Sequence, residues 1–382
     1  MAVALGRVAA HAVRSSVPVP AFVRATWDGY ALRSRDVRGA SARRPRALQI
    51  VGEVFAEQTF ARRLGPGEAV AIATGGAVPR GADAVEIFEE VRRQGDTVLL
   101  HAPVPVGARI APVGDDIARG RVLVRAGELL RPATLGGLAA CGLEGVEVYA
   151  RPRVAIVPNG NELRAPGRRL GPGEIFESNN VAVAAFVAAC GCEPRALAPV
   201  PDEPEVIERA LRSSLARSDL VLVTGGSSVG ERDHLPRLLP RFGRPLFEGI
   251  AVRPGKPTVA VRAGRKLVVA LPGHPTSCLL NLHWLLLPVL RRLARLPGPG
   301  WRARTVRFAG PPAPRVPGVT TVLPLRLRKD RARSTFRGSS SITSLEGTGA
   351  FAFLPPGRTP MRAGTPLRAF VLDPPIGLPS SG

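Results

Sequence analysis

Leu220-Val221-Leu222-Val223 is an unbroken apolar run that passes directly into Thr224-Gly225-Gly226-Ser227-Ser228-Val229-Gly230. A short continuous apolar run closed by turn residues fits a strand buried on both faces, as in a helix-covered parallel sheet. Residues 267–271 repeat the pattern and end in Pro272-Gly273, and residues 154–157 run into Asn159-Gly160-Asn161-Glu162. Helical patterns lie between and after these runs. Residues 179–190 are rich in Ala and Val and stop before Gly191. Residues 204–217 carry Val206, Ile207, Ala210, Leu211 and Leu215 on one face, with Pro204 placed to start a helix. Residues 276–293 form a third, long apolar pattern. Strand and helix in alternation predict a three-layer α/β domain with a mostly parallel sheet over residues 151–296.

The pattern differs on either side. Residues 20–118 hold short β-like runs, such as 69–74 and 97–101, separated by Gly65-Pro66-Gly67, Gly75-Gly76 and Gly81-Ala82-Asp83. This predicts a β-rich inserted domain. Residues 128–146 read as a short helix starting near Pro132 and ending at Gly142, so residues 1–19 and 119–150 are expected to form a small split helical domain. After a linker at Pro297, Gly298, Pro299 and Gly300, residues 297–382 alternate apolar and polar positions between turns. They are expected to form a C-terminal β-barrel or sandwich. No internal repeat is visible.

A chain of 382 residues, 45% hydrophobic and 22% charged, has room for several cores. Its 53 Lys+Arg against 30 Asp+Glu give a net charge of +23, which suits an anionic substrate. The excess is spread along the chain without a long run of like charge, and aromatic residues make up only 5%. Both features argue against a nucleic-acid partner. Four cysteines, Cys141, Cys190, Cys192 and Cys278, are too few for a disulfide scaffold. The N-terminal residues lack the apolar core of a signal peptide, and the longest uncharged stretch, 267–290, is interrupted by Pro, Asn and His. The expectation is a cytoplasmic protein with no membrane partner.

Ligands of open α/β sheets bind where strands end. In the loop after Val223, Gly225, Gly226 and Gly230 let the backbone approach a phosphate, and Ser228 offers a hydroxyl. Asp233 follows and could hold a metal ion or a ribose hydroxyl; an ordinary glycine-rich turn is the competing reading. Pro272-Gly273-His274-Pro275 precedes a helix, whose start favours an anion. Arg253-Pro254-Gly255-Lys256-Pro257 sets a rigid turn between two cations. Lys256 is one of only three lysines, with Lys266 and Lys329, so a compact ammonium at an oxyanion explains it as well as a solvated loop position does. Asp28, Asp116, Glu162 and Asp202 lie in polar loops. Each alone fits a turn or cap, and together they could hold Mg²⁺. His274, Cys278 and His283 follow helical spacings that favour core packing over zinc, and Cys190-x-Cys192 lacks a second pair.

Taken in order, these loops resemble the MoeA and gephyrin E-domain family, the molybdopterin molybdenumtransferases. Ala4-Leu5-Gly6-Arg7 and Trp27-Asp28-Gly29-Tyr30-Ala31 are similar to its opening motifs. Thr74-Gly75-Gly76-Ala77-Val78-Pro79-Arg80-Gly81-Ala82-Asp83-Ala84-Val85 is similar to its TGAxxPxGADAV loop, and Gly114-Asp115-Asp116-Ile117 to GEDI. Gly160-Asn161-Glu162-Leu163, Glu177-Ser178-Asn179, residues 224–233, Pro254-Gly255-Lys256-Pro257 and Leu271-Pro272-Gly273-His274-Pro275 match GNEL, DSN, SGGxSxGxxD, PGKP and LPGNP. Residues 338–354 are similar to part of its last domain.

The resemblance implies adenylylated molybdopterin and molybdate as substrates, with Mg²⁺ as cofactor. Molybdate would be inserted at the dithiolene and AMP released. It implies catalytic roles for Asp28, Asp116, Glu162, Asp202, Asp233 and Lys256, with Asp28, Asp116, Glu162 and Asp233 toward the metal. Gly225, Gly226, Ser228, Gly230, Asp233, Pro272, Gly273 and His274 would bind the pterin nucleotide. Arg253, Pro254, Gly255, Lys256 and Ser277, joined by Arg337 and Ser340, would receive the oxyanion. It further implies a homodimer of four-domain subunits, whose cleft takes the β-rich domain from the partner, and pathway proteins as partners. Several positions depart from the family pattern: Val23, Ala25, Trp27, Asn159, Arg253 and His274. The helix that usually precedes the opening motif is missing from the sequence, which implies a late start or a shortened first domain. Two alternatives stay open: a binding or scaffold protein of the same fold without turnover, which the departures permit, and a molybdopterin adenylyltransferase, since the α/β domain resembles the adenylyltransferase of the same pathway. The extra domains count against the second.

Overall fold

The computed structural model describes residues 1–225 and 234–373. It is a mixed α/β protein with several sheets and few helices, and its chain divides into two compact bodies. Residues 1–5 and 11–147 form the first body, and residues 6–10 and 148 onward the second. Residues 6–10 were expected to fold with 119–150. They do pair with the end of that segment, since Ala9 bridges to Val148 and the Tyr149 N–H donates to the Val8 carbonyl at 3.0 Å, and both pieces go with the second body.

The first body is built on a six-stranded sheet with the order Ala84–Ile87, Gly29–Leu32, Glu68–Ile72, Arg46–Val54, Thr97–Leu100, Val91–Gln94. Alternation along the strands sends Tyr30, Leu32 and Ala69 to one core and Ala31, Val70 and Ile72 to another, so both faces are covered. Gly29 cannot carry a side chain here: a Cβ would lie 2.0 Å from the Glu86 carbonyl oxygen of the neighbouring strand. Val13–Arg14 pairs antiparallel with Val122–Val124. The expected helical segment supplies one α-helix, Pro132–Ala140, with proline in its first turn.

The second body contains two six-stranded sheets. The first has the order Glu193–Ala196, Arg153–Pro158, Leu220–Thr224, Lys266–Leu271, Val259–Ala263, Arg244–Glu248. The first four strands are parallel; the last two form an antiparallel hairpin on one side that periodicity did not predict. Val154, Ile156, Leu220 and Leu222 pack toward helix Asn179–Ala189 and residues 275–293. Ala155, Val157, Val221 and Val223 pack toward helix Pro204–Arg217 through Ile207 and Leu211. Three layers result, and both faces of the central strands are dry, which is why those strands read as unbroken apolar runs.

The long helix expected over 276–293 is interrupted. Pro275–Asn281 and Leu287–Leu293 are α-helical, and Leu282–Leu286 between them is a wider π turn. Pro288 explains it: its ring has no N–H to give and would crowd the carbonyl four residues back in a regular helix.

The other sheet has the order Val252–Arg253, Thr320–Arg328, Arg331–Ser334, Trp301–Phe308, Pro366–Leu372, Ala350–Leu354, and it closes through pairing of Thr320–Arg328 with Ala350–Leu354. It is a small barrel, filled by Phe308, Leu325, Leu354 and their neighbours. Its first strand is lent by the loop that also carries Lys256.

Candidate active site

Three adjacent parallel strands, Arg153–Pro158, Leu220–Thr224 and Lys266–Leu271, end at the same edge of the sheet. A cavity of about 1130 Å³ opens there. Its floor is backbone. Gly225 has φ +94°, and a Cβ on it would sit 2.1 Å from the Asn159 carbonyl oxygen. A Cβ on Gly273 would lie 3.3 Å from the Gly225 Cα. The two strand-end loops therefore touch through their glycines, leaving main chain rather than side chains facing a ligand.

Asparagines hold this floor. Asn159 is buried and donates through Nδ2 to the Val200 carbonyl at 3.1 Å, while its own N–H bonds the Thr224 carbonyl at 2.8 Å. Asn179 donates through Nδ2 to the Gly273 carbonyl at 2.7 Å. The departure at Asn159 thus has a structural account: the amide ties one strand end to the next segment.

The walls come from several segments, including Pro236 and the exposed Arg237 of the short helix Leu235–Leu238. Lys256 stands exposed on the loop between strands Arg244–Glu248 and Val259–Ala263. Ile175 and Phe176 come from a short pairing, Leu163–Arg164 with Ile175–Phe176, and both are about half exposed. Glu162, exposed, follows the Asn159-Gly160 turn, and Ser340 comes from the barrel side. Thr276 anchors that last segment: its N–H donates to the Ser339 carbonyl at 3.0 Å and its hydroxyl to the Ser341 carbonyl.

Glu177 is the buried carboxylate of the cavity, 4% exposed, and no ion pair reaches it among the described residues. Its Oε2 accepts the Asn180 N–H at 2.7 Å at the start of helix Asn179–Ala189. Burial pushes its carboxyl above the ordinary range, opposed by hydrogen bonds from the Asn180 and Asn179 backbones.

Of the residues chosen from sequence, Gly225, Lys256, Glu162, Pro272, Gly273, His274 and Ser340 line this one cavity. Six others do not. Arg253 is a strand residue paired with Thr321 in the barrel sheet, and Pro254 and Gly255 are buried beneath the Lys256 turn. Ser277 is buried in the helix. Arg337 is exposed, with Nη1 donating to Thr343 Oγ1 at 3.4 Å. Asp202 is committed elsewhere: its Oδ2 accepts the Asn161 N–H at 3.3 Å and its own N–H donates to Asn161 Oδ1 at 3.1 Å. That reciprocal pair braces the Glu162 turn. Gly226, Ser228, Gly230 and Asp233 lie outside the described residues.

Asp28 and Asp116 belong to the first body, and both are exposed. Asp28 Oδ1 accepts the Thr74 N–H at 2.6 Å and its hydroxyl at 2.8 Å. Those bonds, backbone first, hold its carboxyl below the ordinary range. The motifs carrying Asp28 and Thr74 are thus joined in space. Asp116 donates its backbone N–H to the Val19 carbonyl at 3.1 Å.

Sequence reasoning missed Glu177, Asn179 and Phe176 as wall residues. The Glu177-Ser178-Asn179 motif was the available signal, but a charged residue before a helix reads first as a cap. The cysteines and His283 are core residues. Cys278 is fully buried, burial pushes the Cys190 and Cys192 thiols up to about 12, and the His283 ring packs on Phe186 at 4.8 Å. Among the described residues, no three His, Cys, Asp or Glu side chains gather closely enough to hold a metal by themselves. No helix among them is long and apolar enough to cross a membrane.

Comparisons with known proteins agree with the motif order. Residues 1–142 match the model of the MoeA N-terminal region, domains I and II, and residues 155–292 match that of a probable molybdopterin binding domain. A molybdopterin molybdenumtransferase of Nostoc sp. is 34% identical, over 78% of this chain and 69% of its own length. One from Bacillus subtilis is 30% identical, over 96% of this chain and 88% of its own. Two solved structures of a molybdopterin biosynthesis MoeA protein from Pyrococcus horikoshii superpose with TM-scores of 0.83 and 0.80, at 33% and 27% identity, each covering 96% of this chain and 92% of theirs. Motif order, identity along most of the chain and superposable architecture coincide, and the chain belongs to the molybdopterin molybdenumtransferase family.

Proposed function

We propose that this protein inserts molybdate into adenylylated molybdopterin and releases AMP, as a step of molybdenum cofactor biosynthesis. The observation that carries the reading is the cavity at three parallel strand ends, with a main-chain floor at Gly225 and Gly273, Lys256 on its wall and the half-exposed Phe176 beside it. A phosphorylated, ring-bearing substrate and a dianionic oxyanion need these parts: close backbone N–H groups, a cation and an apolar platform. Lys256 binds the incoming oxyanion, and Phe176 supports a planar ring.

Mg²⁺ fits the residues present. An ion held by one or two carboxylates and the substrate's own phosphates needs no cluster of three ligands, and Glu162 offers an exposed carboxylate on the cavity wall. When bound, the ion would neutralise phosphate charge; Glu162 would hold it. The active unit is read as a homodimer, which light scattering during gel filtration tests directly; a monomer at assay concentration overturns that part.

The central test is AMP release from adenylylated molybdopterin on addition of molybdate. Release that depends on molybdate supports insertion. Tight binding of the nucleotide without release favours a scaffold of the same fold, and the departures at Val23, Ala25 and His274 are where that outcome would be traced.

A further inference from the structure

The turn that carries Lys256 is braced from beneath by a closed set of hydrogen bonds. Asn281 is fully buried. Its Nδ2 donates to the Gly255 carbonyl at 3.0 Å and to Thr258 Oγ1 at 2.8 Å. Thr258 Oγ1 donates in turn to the same carbonyl at 2.9 Å. Trp284 Nε1 donates to Asn281 Oδ1 at 2.9 Å. An indole N–H is only a donor, so it fixes which end of the Asn281 amide is oxygen, and both Nδ2 hydrogens then have acceptors.

The set is also sterically tight. Gly255 has φ +109°, and a Cβ on it would come within 2.4 Å of Asn281 Oδ1. Trp284 is itself held, edge to face against Phe353 of the barrel at 5.5 Å. It sits in the π turn Leu282–Leu286, so the wide turn at Pro288 shapes the segment that presents the indole to Asn281. Lys256, by contrast, has no side-chain partner among the described residues. Among the described residues, the backbone turn is what fixes where its side chain begins.

We propose that Asn281 is a positioning residue for Lys256, and that Trp284 orients Asn281 for the task. The brace holds Gly255 and Thr258 on either side of Lys256, so the long side chain enters the cavity from one fixed backbone direction. This rests on the reading of Lys256 as the oxyanion-binding cation. A fully satisfied buried network is worth more than its separate bonds and specifies one arrangement. A lysine in a turn without the brace would spread its charge over many positions and bind an oxyanion less well.

The test is a mutant cycle with molybdate-dependent AMP release as the assay and thermal unfolding measured alongside. Asn281→Ala and Trp284→Phe are each expected to raise the half-saturating molybdate concentration about fivefold to tenfold, the scale of one or two lost hydrogen bonds, with a smaller change in kcat. Combined with Lys256→Ala, neither should raise it further, because the residue acted on is gone. Trp284→Phe keeps an aromatic ring but removes the N–H together with the pyrrole part of the indole, and it carries the test if Asn281→Ala fails to fold. Full additivity with Lys256→Ala, or a lower unfolding temperature with an unchanged molybdate requirement, overturns the positioning role. If Lys256→Ala alone leaves the molybdate requirement unchanged, the oxyanion reading of Lys256 falls first and the positioning role falls with it.

Discussion

Gly225 and Gly273 end neighbouring parallel strands and meet so closely that a Cβ on Gly273 would lie 3.3 Å from the Gly225 Cα. The two positions differ in what they tolerate. Gly225→Ala places a side chain at φ +94° and 2.1 Å from the Asn159 carbonyl, so the backbone must move. It is expected to cost about 2 kcal/mol or more, read as a lower denaturation midpoint. Gly273 is free of the φ penalty, and its contact is tight but short of a clash. Gly273→Ala is expected to cost about 1 kcal/mol or less in stability while narrowing the floor and weakening AMP binding in calorimetry. Equal losses of stability from both would contradict this account of the floor.

Lys256→Ala is expected to raise the molybdate requirement about tenfold or more, on the scale of a charge-assisted hydrogen bond, and to change AMP affinity much less. Lys256→Arg should recover part of the loss, since the charge returns on a planar and longer head. Steady-state kinetics at varied molybdate and calorimetry with AMP separate the two effects. Equal loss of both would assign Lys256 to the nucleotide phosphate.

The parts of this design that could be read in advance are those written in local pattern. Leu220–Thr224 and Lys266–Leu271 are dry on both faces, so their apolar runs announced them. Helix Pro204–Arg217 carries its core stripe at helical spacing, and its bounds were legible to the residue. The hairpin Arg244–Glu248 with Val259–Ala263 was not, since proline and arginine interrupt its alternation. The same holds for the site. Glycine turns and Lys256 stood out because they are rare conformers or a rare residue type in this chain. Asn281 did not, because an asparagine inside an apolar helix shows its purpose only when the Gly255 carbonyl lies beside it. Arg253 is outside the cavity lining: its neighbours form the turn, but its own backbone pairs with Thr321 in the barrel sheet.

Phe176 is about half exposed although it lines a cavity, which leaves its ring face for a ligand. Phe176→Ala is expected to weaken AMP or pterin binding about fivefold to tenfold, the scale of one aromatic contact, without changing the molybdate requirement. Phe176→Leu, which keeps apolar bulk but loses the π face, should fall between. Calorimetry with AMP, and with a free pterin, also tells which ring uses the platform. Wild-type affinity for both in Phe176→Ala would remove the residue from the site.

Glu177 makes stability depend on pH in a direction opposite to Asp28, Glu68, Glu174 and Glu208. Its carboxyl is raised by burial, so the folded state holds its proton to higher pH than the unfolded chain does. Between the ordinary carboxylate value and the raised one the native state binds more protons, and stability falls as pH rises through that window. Glu208 and Glu174 are drawn down by hydrogen bonds and act in the reverse sense, so the whole-protein profile mixes both signs. The difference between wild type and Glu177→Gln isolates the one group. The amide oxygen of Gln can still accept the Asn180 N–H, so the helix start is kept while the buried charge is removed. Denaturant midpoints measured from pH 4 to pH 8 should therefore show Glu177→Gln gaining on wild type as pH rises, with no gain at the acid end. A gap that stays constant across the range would mean that the Glu177 carboxyl titrates at the same pH folded and unfolded. A gap that widens toward acid would mean that the carboxylate is stabilised in the fold by a charge partner, against the ion-pair-free burial described above.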